Sequence, residues 1–181
     1  MIAEDLTDKK VVALISFKDF RDIELFVPRE ILRKAGVNFF IASNSLGSAI
    51  GADGGDVEVD FLLEKLNIDD FDAVLFIGGP GSLKYLDNEI SYNIAKETVS
   101  KGKILASICI SPVILAKAGA LKGKKATVWS SAMNKEGVRK LEENGAHYID
   151  KNVVVDNNII TANGPDSAED FANKIIELLT R

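Results

Sequence analysis

A chain of 181 residues with one cysteine, one histidine and one tryptophan has few ways to do chemistry. One cysteine cannot form an internal disulfide, so the fold rests on its core, and a reducing, cytoplasmic setting is expected. Cys109 and His147 lie far apart and supply too few soft ligands for a metal centre, and no cofactor is expected. Positive charge is outnumbered by negative. The 22 Lys and Arg against 27 Asp and Glu leave a net charge of −5, and no basic run with interleaved aromatics occurs, which argues against a nucleic-acid partner. No apolar run exceeds strand length, so no membrane span is expected, and residues 1–10 are too polar and acidic for a signal peptide. A phosphate loop (Gly-x4-Gly-Lys-Ser/Thr) is missing. So is a Gly-x-Gly-x-x-Gly after the first strand, which argues against a dinucleotide. Glutamine is absent altogether, a trait of heat-adapted chains that the many asparagines offset here.

Against these absences stands a regular alternation of strand and helix patterns. The length suits a single domain over residues 1–181, and 46% apolar with 27% charged residues are ordinary globular proportions. Residues 11–17 form a continuous apolar, β-branched run, as a strand covered on both faces requires. Residues 24–35 read as a helix with Pro28 near its start and Gly36 closing it. Strands follow at 38–43 and 72–77, the second ending in Gly78-Gly-Pro-Gly81. The Gly- and Asp-rich stretch 44–60 reads as loops with one short edge strand at 57–59, and 61–66 as a brief helix. A helix at 88–101 precedes a strand at 104–108, a helix after Pro112, a short strand at 126–129 and a helix at 135–144. Residues 153–161 read as a β-hairpin turning at Asp156-Asn157-Asn158. The last helix starts at Ser167, whose hydroxyl resembles a capping box with Asp170. This order predicts an α/β fold, a three-layer sandwich around a mainly parallel sheet.

In such a sheet, sites form beyond the carboxyl ends of the strands, near the switch in strand order. Cys109 ends a strand within Ser107-Ile-Cys-Ile-Ser111, with small residues two positions either side and a helix starting three residues later. That is the layout of a nucleophile elbow. A helix N-terminus with free N–H groups would lower the thiol pKa, yet a lone cysteine is as commonly a packing residue. Glu24 is either the thiol's partner, its carboxyl pKa raised by the facing sulfur, or a solvated carboxylate in a first helical turn. Gly78 and Gly79 either expose N–H groups as an oxyanion site, with the Ile110 N–H as second donor, or simply turn the chain. His147 opens a late strand and reads as an edge residue, not a base.

Together these blocks resemble the ThiJ/PfpI superfamily (the DJ-one family, a class I glutamine amidotransferase-like domain). Phe20-Arg-Asp-Ile-Glu-Leu-Phe-Val-Pro28 is similar to its Glu-bearing turn, and Asp72-Ala-Val-Leu-Phe-Ile-Gly-Gly-Pro-Gly81 to its Gly-Gly strand end. Ala106-Ser-Ile-Cys-Ile-Ser-Pro-Val-Ile-Leu-Ala-Lys-Ala-Gly119 is similar to its elbow, and Thr161-Ala-Asn-Gly-Pro165 to the segment before its final helix. The resemblance implies a flavodoxin-like sandwich, usually dimeric or higher. It also implies a cysteine at the elbow, a protonated glutamate beside it and a glycine amide that helps bind an oxyanion. Departures are visible as well. Protease-like members carry His directly after the cysteine, where this chain has Ile110. Glyoxalase- or deglycase-type members commonly carry His on the strand after the elbow helix, where Trp129 stands here. The arginine often found before the last Gly-Pro is Asn163.

The first functional reading is a cysteine-dependent enzyme acting on small reactive carbonyl or related electrophilic compounds. Cys109 attacks, Glu24 moves the proton, the Gly79 and Ile110 amides hold the oxyanion, and Gly78, Trp129 and Asn163 line the pocket. The second is a non-catalytic redox-responsive protein, in which an oxidant converts Cys109 to a sulfinate held by Glu24. A peptidase has the weakest support, because protonating the leaving amine calls for the missing imidazole. The expected partners are a small-molecule substrate or oxidant and further copies of the chain in a homodimer or higher oligomer, with neither nucleic acid nor membrane.

Overall fold

Residues 6–181 are described by the structure, a computed structural model; residues 1–5, part of the segment read above as polar and acidic, lie outside the described residues. Lys10–Ile15 form β1, buried at all but its first position. In chain order follow β2 (Lys18–Phe20), α1 (Asp22–Lys34), β3 (Asn38–Ser43), β4 (Gly47–Gly51), β5 (Asp56–Val59) and β6 (Phe61–Leu62). Next come β7 (Ala73–Phe76), α2 (Ser82–Tyr85), α3 (Glu89–Ser100), β8 (Ile104–Ile108) and α4 (Pro112–Lys117). The chain ends with β9 (Lys125–Ala126), α5 (Glu136–Glu143), β10 (His147–Tyr148), β11 (Val153–Asp156), β12 (Ile159–Ala162) and α6 (Ala168–Leu179).

Seven strands make one sheet in the order β11-β12-β8-β7-β1-β3-β6. Every neighbouring pair is parallel except β11 with β12. Side chains alternate across a strand, and β1 therefore feeds two cores. Val11, Ala13 and Ile15 pack in one with Leu25 and Leu32 of α1 and Phe171 and Ile175 of α6. Val12 and Leu14 pack in the other with Ile94 of α3, Val113 and Leu115 of α4 and Leu141 of α5. Helices on both faces of a mostly parallel sheet give the three-layer sandwich that the alternation predicts, of the flavodoxin-like kind that the family resemblance implies. Among the described residues no helix is long and apolar enough to cross a membrane.

Some elements differ from the sequence expectation for local reasons. α1 starts at Asp22, whose carboxylate accepts the N–H groups of Asp53 and Gly55. Pro28 therefore lies inside the helix rather than near its start, and it offers no N–H to the Glu24 carbonyl one turn back. The stretch 44–60 holds two strands, because β4 pairs with β2 on one side and β5 on the other in a second, three-stranded sheet. Residues 61–66 are not a helix but the edge strand β6 and a single tight turn at Leu63–Lys65. The strand expected at 126–129 shrinks to β9, since the Trp129 N–H is spent on the Cys109 carbonyl. Ser167 precedes α6 without capping it; its hydroxyl donates to Asn163 Oδ1 at 2.7 Å instead.

Candidate active site

The chain runs from β1 outward to β3 and later lays β7 on the other side of β1. A crevice opens at such a reversal, beyond the carboxyl ends of the strands. The ends of β1, β7 and β8 bring Glu24, Gly78-Gly79 and Cys109 to it.

Cys109 follows β8 with φ of 66°, a left-handed conformation that residues with a Cβ avoid. Surrounding hydrogen bonds hold it there. Its N–H donates to the Ala162 carbonyl at 2.9 Å, and its own carbonyl accepts the Trp129 N–H at 2.7 Å. Ser111 Oγ accepts the Ile108 N–H at 3.1 Å and lies 2.7 Å from the Phe76 carbonyl, tying the tips of β7 and β8 to the start of α4.

Glu24, the third residue of α1, is fully buried. The Gly78 N–H donates to its Oε2 at 3.0 Å, while Oε1 has no hydrogen-bond partner. The group that the carboxyl does meet is the Cys109 thiol, to which it is hydrogen-bonded. Only glycine fits between them. A Cβ at Gly78 would lie 2.6 Å from Cys109 Cβ and 2.7 Å from Glu24 Oε2. Gly79, at φ of 113°, packs against the Arg21 backbone, and its N–H and that of Ile110 hydrogen-bond the sulfur.

Over the sulfur lies a cavity of about 410 Å³, whose wall includes Arg21, Gly79, Cys109, Ile110, Trp129 and Pro165. Gly78 and Glu24 sit beneath this wall rather than on it. Asn163, expected to line the pocket, does not: its side chain is engaged with Ser167 Oγ and Asn152 Oδ1. His147 is exposed on β10, and among the described residues no histidine lines the cavity. Depressions of similar size beside α5 and α1 contain no cysteine, serine or histidine among the described residues. Among the described residues no group of three or more His, Cys, Asp or Glu is placed to hold a metal.

A family model described as the DJ-1/PfpI family matches residues 9–178. The chain belongs to the DJ-1/PfpI family. It is 38% identical over 179 residues to an uncharacterized protein of Methanocaldococcus jannaschii, covering 98% of this chain and 86% of that protein. Deglycase PfpI of Pyrococcus furiosus is 34% identical over 169 residues, covering 93% and 98% respectively. Among solved structures, a ThiJ/PfpI domain protein from Brachyspira murdochii matches with a TM-score of 0.90 at 33% identity, over 94% of this chain and 96% of that one.

The electrostatics of this DJ-1/PfpI site correct the expectation of a depressed thiol pKa. Burial pushes the Glu24 carboxyl up to about 7, opposed by its hydrogen bonds with Cys109 and Gly78 and by the charge of Arg21. Burial also pushes the Cys109 thiol up to about 12, with the charge and hydrogen bond of Glu24 adding to it. The Ile110 and Gly79 N–H groups pull the other way and lose. α4 is only six residues long, so its dipole is a small counterweight to desolvating an anion. Glu24 and Cys109 titrate as a coupled pair. Above pH 7 that pair is a thiol beside an ionised carboxyl.

Two polar wall residues of this DJ-1/PfpI cavity escaped the sequence reading, Arg21 and Asn134. Arg21 stands inside the quoted Glu-bearing block, but a charge on a turn next to a helix start is usually solvated. Asn134 comes from the segment between β9 and α5, where no local pattern marks it.

Proposed function

We propose that this protein is a cysteine-dependent enzyme acting on small reactive carbonyl compounds. The observation that carries the reading is the hydrogen-bonded Cys109–Glu24 pair beneath an open cavity, with two N–H groups directed at the sulfur. Ionised Glu24 takes the thiol proton as Sγ bonds to the carbonyl carbon. The carbonyl π pair moves onto oxygen, where the Gly79 and Ile110 N–H groups stabilise the charge. Glu24 then returns the proton to that oxygen, leaving a hemithioacetal. The name of the Pyrococcus furiosus relative, a deglycase, points the same way. Purified protein is expected to turn over methylglyoxal, and Cys109→Ser to fall to the buffer rate. Equal rates for both proteins would reject the proposal.

The same pocket supports a redox-responsive reading. A sulfinate on Cys109 would meet the Gly79 and Ile110 N–H groups and a protonated Glu24. Mild peroxide followed by intact-mass measurement should then show two added oxygens on Cys109, and an unmodified thiol rejects this role. The enzyme reading ranks ahead because a cavity large enough for a small ligand lies over the sulfur and a deglycase-named relative matches most of the chain. A homodimer or higher oligomer is proposed with either role; light scattering that returns the mass of one chain rejects it.

A further inference from the structure

Among the described residues, Arg21 is the one charged group on the cavity wall, and the addition step leaves it without a task. Its backbone is fixed, since its N–H donates to the Gly78 carbonyl at 3.0 Å and Gly79 packs against it. Its side chain is anchored as well: Nη1 lies 3.1 and 3.3 Å from the two Asp53 carboxylate oxygens. Asp53 belongs to a turn that Asp22 clasps, through N–H groups of Asp53 at 2.9 Å and Gly55 at 2.6 Å. Among the described residues, Nε and Nη2 of Arg21 have no hydrogen-bond partner. Those two donors share one edge of the guanidinium, the edge that takes a carboxylate in two-pronged fashion. Most of the remaining wall is apolar, with Pro80, Leu83, Ile110 and Trp129, so a charge pair formed there is poorly screened.

We infer that Arg21 makes the site selective for small electrophiles carrying a carboxylate beside the reacting carbon, an inference that rests on Cys109 being the nucleophile. One anchored cation with one free edge matches a singly charged ligand. A phosphate dianion would have to share that cation with Asp53 and approach the buried Glu24 carboxyl.

Alkylation tests this without requiring turnover. Iodoacetate and iodoacetamide have nearly the same size and differ in charge. Each forms an S–C bond at Cys109 and expels iodide, while the thiol proton passes to Glu24 or solvent. The quantity measured is the ratio of their rate constants, iodoacetate over iodoacetamide, at about pH 8, above the Glu24 value of about 7. It is expected to fall about tenfold or more in Arg21→Gln, equivalent to about 1.4 kcal/mol, and to fall less in Arg21→Lys. Iodoacetamide, measured on each protein, is the reference that removes any change in Cys109 reactivity caused by altering the Arg21 charge near Glu24. In the unmodified protein, acetate but not acetamide should slow iodoacetamide, a measurement that needs no variant. A ratio unmoved by Arg21→Gln, or equal effects of acetate and acetamide, overturns the inference even if carbonyl compounds are turned over. A shifted ratio without any turnover leaves the selectivity standing and removes the enzyme reading.

Discussion

Glu24 is a carboxyl taken out of water, and its titration should be visible in stability. Its pKa rises from an ordinary 4.5 to about 7 on folding. A group raised in the folded state stabilises the fold below its unfolded value and loses that contribution as pH climbs through the folded value. The difference corresponds to about 3 kcal/mol at 1.36 kcal/mol per pH unit. Urea unfolding of the natural chain should therefore lose about that much stability between pH 4.5 and about 8 relative to Glu24→Gln, which cannot ionise. Parallel curves for the two proteins would show that Glu24 is not the buried acid described here. Reactivity should follow the same proton. Alkylation of Cys109 by iodoacetamide is expected to accelerate through about pH 7, as Glu24 becomes a base, and again toward about 12. Glu24→Gln should lose the first step and bring the second to lower pH, because the Glu24 charge and hydrogen bond no longer hold the thiol up; a step left at about pH 7 in the variant contradicts the pairing. The meeting of Cys109 and Glu24 beyond the strand ends was legible in the sequence. The upward direction of the thiol pKa was not, because burial depends on chain segments far from Cys109.

The strand ends make this pairing possible, and Gly78 at the tip of β7 is the tightest point. Gly78→Ala places a methyl group against Cys109 Cβ, Glu24 Oε2 and the Ile108 carbonyl at once. Overpacking of this kind costs about 1–3 kcal/mol. The chain should lose stability by that amount in urea, and Cys109 alkylation should slow as the carboxyl and thiol are pushed apart. Unchanged alkylation would mean that the two groups do not act together. The central strands of the main sheet were readable because residues buried on both faces must be continuously apolar, as in β1, β7 and β8, whereas the two-residue edge strand β6 was read as helix. Of the second sheet only β5 was. β2 and β4 are short, rich in polar and small residues, and joined by pairing between segments about thirty residues apart. The strand after α4 was overestimated for a similar reason: Trp129 has a strand-forming side chain, but its N–H closes the elbow instead. Asn163 also read as a pocket residue from its place before Gly-Pro, yet its amide is consumed by Ser167 and Asn152.

The two helical layers support the pair unequally. α1 carries Glu24 and packs with α6 through Leu25, Leu32, Phe171 and Ile175 on one face of the sheet. α3, on the other face, contributes Ile94 to a separate core and carries none of the site. Truncating a buried Phe to Ala costs about 3–5 kcal/mol, and an Ile to Ala about 2–5. Phe171→Ala and Ile94→Ala should thus be comparably destabilised while differing at the site. Loosening α1 lets water reach Glu24, and burial is the largest cause of its raised pKa. The step near pH 7 in Cys109 alkylation should accordingly move to lower pH in Phe171→Ala and stay in place in Ile94→Ala. Equal shifts in both variants would mean that the carboxyl responds to global stability, not to the packing of α1. An unequal response would trace the base strength of Glu24 to the α1–α6 contact, a layer that never touches the cavity.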